Sequence, residues 1–159
     1  MKEKIKGFIP YVIIIVCIIL LRAFIITPVR VDGTSMNKTL SNGDLLLLSK
    51  LAKINRYDIV VINEDKEKII KRIIGMPGDT VEIKKDRIYI NDEKIEDEFA
   101  FGETSDYSMI TLKDDEYFVL GDNRLVSKDS RYFGPVKKDA IEGQAIFRFF
   151  PFTKIGSLN

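Results

Sequence analysis

Few residues in this chain are placed to do chemistry, and they lie far apart in the sequence. Ser35 sits in GTSMNKTL, residues 33–40, beside Met36 and shortly before Lys38. Gly33, two positions earlier, permits an unusual φ or a close backbone approach, which would leave the Ser35 hydroxyl reachable. The chain contains 0 histidines, which removes Ser-His-Asp and Cys-His arrangements and the commonest zinc ligand in one step. A serine nucleophile therefore needs a different base, and a neutral lysine is competent to act as one. Lys38 gives a formal S-x-x-K pattern, but that motif belongs at a helix start and comes with SDN-type and KTG-type partners that are absent. The plain alternative is a turn serine that caps a local backbone group.

The second candidate base lies in IIKRIIGMPGD, residues 69–79. If this segment is extended, side chains alternate, so Lys71 shares a face with Ile69 and Ile73 while Arg72 points the other way with Ile70 and Ile74. One of the two cations must then lie on an apolar face. Burial disfavours the charged ammonium, and lowering a lysine pKa to near 7 costs roughly 4–5 kcal/mol. Arginine stays protonated and cannot serve as a base, whereas a lysine can. The strand by itself also permits an edge position with both cations exposed. A third cluster, GDNRLVSKDSRYFGP at residues 121–135, follows the apolar YFVL and concentrates Asp122, Asn123, Arg124, Ser127, Asp129, Ser130 and Arg131. It reads as a solvated loop, or as one in which Asp129 pairs with Arg131 and leaves Ser127 to orient a neutral lysine.

The elements that must position these groups are short and β-type. Leu45 to Leu48, Asp58 to Asn63, Lys68 to Ile74 and Tyr117 to Leu120 are rich in Ile, Val, Leu and aromatics, and turn residues bound most of them. TVEIKKDRIYINDEKI, residues 80–95, alternates well and predicts a hairpin with KKD at its turn. Glu96 to Lys113 is irregular and polar and is expected to be a loop or flap, so the hairpin and flap together occupy about residues 85–116. No segment beyond residue 26 shows a long helical period. The fold class expected is mainly β: a mostly antiparallel sheet or partly closed barrel behind one N-terminal helix.

That helix is expected from GFIPYVIIIVCIILL, residues 7–21, which carries no charge and continues past Arg22 to Ile26. About 20 apolar residues cover the roughly 30 Å of a bilayer core. Lys2, Lys4 and Lys6 against Glu3 place residues 1–6 in the cytoplasm, residues 7–26 as a single-span anchor and residues 27–159 outside the cell membrane. A cleaved secretory signal is the alternative, but no small-x-small site follows the run. Lys+Arg of 25 against Asp+Glu of 24 gives a net charge of +1, so no basic field argues for nucleic acid. The 1 cysteine, Cys17, lies within the apolar run, so no internal disulfide forms.

Taken together, Ser35-Met36 with Thr39-Leu40, YDIVV at 57–61, KRIIGMPGD at 71–79 and GDNRLVSKDSRYFGPV at 121–136 resemble the type I signal peptidases, in the family's order and over most of the chain. The resemblance implies a membrane-anchored serine endopeptidase that removes signal peptides from exported precursors through an acyl-enzyme, with no metal or cofactor. It matches Ser35 to the nucleophile, Lys71 to the general base, Ser127 to a serine bonded to that lysine, Asp129 and Arg131 to a supporting pair, and Met36 to a residue lining the substrate cleft. It also implies the Ser35 N–H as an oxyanion donor; the added hydroxyl of some members falls at Gly33 here. The spacing resembles a short, Gram-positive-like form. The usual proline two residues after the methionine is replaced by Lys38, which leaves open an inactive, purely binding paralogue.

Overall fold

The computed structural model describes residues 10–19 and 25–158. Residues 10–19 form helix α1, with every side chain exposed. The proposed tail at residues 1–6, the outer parts of the anchor and Arg22 lie outside the described residues. Among the described residues no helix is long and apolar enough to cross a membrane.

The chain then enters β1 (Ile26–Arg30), which pairs with β2 (Leu45–Ser49) across the loop that carries Ser35. Next come β3 (Ile59–Glu64) and β4 (Glu67–Gly75), a hairpin in which Asp65 and Lys66 both take positive φ, the conformation required at a tight two-residue turn. β5 (Thr80–Lys84) and β6 (Arg87–Ile90) form the expected second hairpin, with Lys85 and Asp86 at its turn. β7 (Glu93–Lys94), β8 (Tyr107–Thr111), β9 (Glu116–Leu120), the four-residue helix α2 (Ser130–Phe133), β10 (Val136–Lys137), β11 (Ile141–Phe150) and β12 (Gly156–Ser157) complete the fold. Among the described residues every pairing between these strands is antiparallel.

Two sheets result. The larger runs β1-β2-β11-β3-β4-β9-β10 with β12 beside β11, and the smaller runs β7-β6-β5-β8. The larger sheet is open among the described residues, with β1 and β10 at its ends, so the expectation of an antiparallel sheet holds without barrel closure. Two readings of the sequence need correction. Glu96 to Lys113, expected as loop or flap, contains β8, which pairs with β5. β11, the ten-residue strand that joins β2 to β3, was not anticipated.

β3 shows how DIVVIN becomes the centre of the molecule. Ile59 and Val61 enter one apolar cluster with Val31, Leu40, Leu46, Leu48 and Ile70, while Val60 and Ile62 enter another with Ile73, Tyr117 and Val119. A strand buried on both faces reads as a continuous apolar run, and each such Ile or Val contributes about 1.5–3 kcal/mol on burial. A third cluster, centred on Phe118, Ile74 and Ile83, joins the two sheets. β4 runs between these clusters, and this decides the environment of its two cations.

Candidate active site

Lys71 and Arg72 are adjacent on β4 and point to opposite faces, and both are buried, with 3% and 2% of their surface exposed. The edge-strand alternative fails because β4 is flanked by β3 on one side and β9 on the other. The two cations are accommodated differently. Arg72 donates from Nε to Asp122 Oδ1 at 2.8 Å and from Nη2 to Asp122 Oδ2 at 2.6 Å, in a two-pronged pair. Its guanidinium carbon lies 3.7 Å from the centroid of the Phe99 ring. Asp122 also accepts the Thr39 hydroxyl at 2.5 Å, which ties the Ser35 loop to β4.

Lys71 has no ion-pair partner among the described residues. Its Nζ donates to Ser35 Oγ at 2.9 Å and to the Ile70 carbonyl at 3.1 Å. Burial drives its pKa down to about 8, against the opposing pull of the Asp129 and Asp122 carboxylates. The arrangement therefore holds a hydroxyl against an amine able to lose its proton near neutral pH.

Ser35 is presented by a turn in which Asn37 N–H donates to Thr34 O at 3.1 Å and Leu40 N–H to Met36 O at 2.8 Å. Gly33 has φ +92, a conformation that favours glycine, and its N–H donates to Asn42 Oδ1 at 3.0 Å. Met36 and Leu40 anchor the turn in the apolar cluster. The face above Ser35 and Lys71 opens into a cleft of about 300 Å³ that Gly33, Ile69, Val126 and Phe133 help to line.

Asp129 and Arg131 brace the far wall. Asp129 caps α2, accepts Arg131 Nε at 2.8 Å and Arg131 Nη2 at 2.9 Å, and accepts the Gly121 N–H at 3.0 Å. Arg131 in turn donates to the carbonyls of Arg124 at 3.0 Å and Ser127 at 3.4 Å.

A family model described as "Signal peptidase, peptidase S26" matches residues 4–150. The chain belongs to the signal peptidase family. It is 34% identical to Signal peptidase I of Streptococcus pneumoniae strain R6, in an alignment covering 98% of this chain and 98% of that relative. It is 39% identical to Signal peptidase I S of Bacillus subtilis strain 168, in an alignment covering 93% of this chain and 90% of that one. A crystal structure of a signal peptidase I from Enterococcus faecalis V583 superposes with a TM-score of 0.53 at 35% identity, covering 58% of this chain and 97% of that one.

Of the positions that the signal peptidase resemblance singled out, the fold places Ser35, Lys71 and Gly33 at one cleft and the Asp129–Arg131 pair behind it. Two stand differently from expectation. Met36, expected along the cleft, is only 2% exposed and packs into the core beneath the turn. Ser127 Oγ is buried but forms no hydrogen bond with Lys71 or any other described residue. It packs instead against Gly121, lying 2.1 Å from where a Cβ would stand on that glycine. Lys38 does not face the serine as a base would in S-x-x-K, for its Nζ lies 4.6 Å from the Phe101 ring centroid. The Arg72–Asp122–Thr39 network was not anticipated. An arginine on an apolar strand face was its signal, because a buried guanidinium requires an acid, and GDN after YFVL supplies one.

Proposed function

We propose that this signal peptidase cleaves exported precursors with Ser35 as nucleophile and Lys71 as general base. The observation that carries the reading is the 2.9 Å hydrogen bond from a buried lysine without a carboxylate partner to the Ser35 hydroxyl. Neutral Lys71 takes the hydroxyl proton as Oγ attacks the peptide carbonyl, then returns it to the departing amine. Water enters by the same route to release the acyl group. Asp129 and Arg131 keep the 121–131 loop against the Ser35 turn, and Gly33 leaves the approach to the serine open. The group attacked is the carbonyl that ends the signal peptide of an exported precursor. No metal, cofactor or nucleic acid enters this scheme.

The chain is also inferred to be anchored in the cell membrane by residues 7–26, with residues 1–6 cytoplasmic and residues 27–159 as the extracytoplasmic catalytic domain. Supporting this are the uncharged run in the sequence and the exposed apolar side chains of α1, including Ile13, Ile15 and Ile18. Ile25 and Leu51 are exposed as well, at the start of β1, where the Lys50 N–H donates to the Ile25 carbonyl at 3.0 Å. Ser35 lies nine residues past Ile26, which tethers it within about 30 Å of the anchor's end. A precursor whose own apolar segment is still in the bilayer would meet the cleft at that depth.

The test is incubation of detergent-solubilised full chain with a labelled precursor. Ser35→Ala and Lys71→Ala are expected to abolish cleavage, and Lys38→Ala to retain most of it. Loss with Lys38→Ala and retention with Lys71→Ala would move the base to Lys38.

A further inference from the structure

Asn123 touches the nucleophile's segment twice and has no part in the scheme above. It is 8% exposed. Its backbone N–H donates to the Ser35 carbonyl at 2.9 Å and its side-chain Nδ2 to the Thr34 carbonyl at 3.2 Å. Its own carbonyl accepts the Ser127 N–H at 3.1 Å. The contact is close enough that a Cβ on Gly121 would stand 2.7 Å from the Ser35 carbonyl oxygen. The 121–127 loop is thus pressed directly against the peptide units on both sides of Ser35.

The direction of the grip matters. Among the described residues the cis peptide is Phe150–Pro151, so the Thr34–Ser35 peptide is trans. In a planar trans peptide the carbonyl and the following N–H point in opposite directions. A donor that holds the Thr34 carbonyl on the side of Asn123 therefore turns the Ser35 N–H away from that loop. No described residue accepts that N–H, and Ser35 lines the cleft.

We propose that Asn123 is a positioning residue for acyl transfer, whose carboxamide fixes the Thr34–Ser35 peptide so that the Ser35 N–H serves as an oxyanion donor. The inference rests on Ser35 being the nucleophile. As Oγ bonds to the substrate carbonyl carbon, the carbonyl electron pair moves onto its oxygen and the hydroxyl proton moves to Lys71. The new negative oxygen takes the hydrogen bond from the Ser35 N–H. Collapse restores the carbonyl, breaks the C–N bond and sends the Lys71 proton to the amine. A donor aimed wrongly weakens only the charged intermediate and the transition states around it. Asn37 N–H shares the Thr34 carbonyl at 3.1 Å, so the turn persists without the carboxamide while losing the hold from the loop side.

The experiment compares wild type, Asn123→Ala and Asn123→Leu as full chains in detergent, with Ser35→Ala alongside. The expected result is a fall in kcat of about 100-fold with KM within about twofold, at an unchanged pH midpoint of the rate. Affinity for a peptide boronic acid, tetrahedral and anionic when bound, should fall with kcat. Binding of uncleaved precursor to Ser35→Ala/Asn123→Ala should equal that to Ser35→Ala. A kcat within about threefold of wild type in both variants overturns the proposal. So does a loss of kcat that only follows a fall in melting temperature, with boronate and precursor binding weakened alike. If Ser35→Ala itself still cleaves, the nucleophile assignment fails, an outcome distinct from either of these.

Discussion

A lysine buried to 3% exposure with no carboxylate partner among the described residues is a burden on folding as long as it stays protonated. Lys71 has a pKa of about 8 in the folded chain against 10.5 for an ordinary lysine. The folded state therefore binds fewer protons than the unfolded state between those values, and stability rises with pH across that window. Below it the penalty is fully present, at about 3 kcal/mol. Replacing the amine by an apolar side chain of similar length removes that penalty and loses two hydrogen bonds. Lys71→Met is accordingly expected to be inactive yet more stable at pH 7, by about 1–3 kcal/mol in urea unfolding, with the difference shrinking as pH rises from about 8 to 10.5. Activity follows the same titration with its own sign. With the neutral amine as the proposed base, kcat/KM should climb about tenfold per pH unit up to about 8 and then level. A flat rate down to pH 5 would exclude Lys71 as the titrating group.

At the scale of elements, the site is a junction of three: the Ser35 turn between β1 and β2, the middle of β4, and the loop that joins β9 to α2. β4 engages both partners at once, with Lys71 reaching the serine from one face and Arg72 holding Asp122, and through it Thr39, on the other. The turn itself bends at Lys38, which has φ +53. Proline is held near −65° and cannot take that conformation, so the proline common at this position in the family resemblance does not fit the turn as this chain folds it. Lys38→Pro is expected to cost about 1–3 kcal/mol and to reduce precursor cleavage. Lys38→Gly, which keeps the conformation and loses the contact with Phe101, should change stability by less than about 1 kcal/mol and retain activity. Paired urea melts and cleavage assays read both variants. Equal activity in the two would show that the turn tolerates either backbone.

For the whole molecule, the antiparallel β fold that carries the proposed acyl-transfer cleft begins at Ile26 and follows an apolar N-terminal segment in the sequence. The full chain should sediment with membranes and resist extraction by alkaline carbonate, and added protease should digest residues 27–159 from outside the cell. A chain recovered in the soluble fraction without its first twenty-odd residues would show instead that the segment is a removed signal.

Local pattern sufficed wherever the physics is local. Alternation in residues 80–95 specified the β5–β6 hairpin, and an apolar run as dense as DIVVIN has to be buried on both faces. Beyond residue 26, the lack of a helical period specified a β fold. The absence of histidine restricted any base for Ser35 to a side chain such as lysine. β8 and β11 escaped this reading because their pairing is non-local. β8 is largely exposed and takes its strand pairing from β5, and β11 carries irregular register where it meets β2 and β3. Tertiary structure decided which lysine meets the serine, since thirty-six residues separate Ser35 from Lys71 and only the packing of β4 under the β1–β2 turn closes that distance. It also sent Met36 into the core, turned Ser127 against Gly121 and brought Asn123 onto the serine's peptide. A hydrogen bond depends on the positions of both partners, and chain order supplies the partners without their positions.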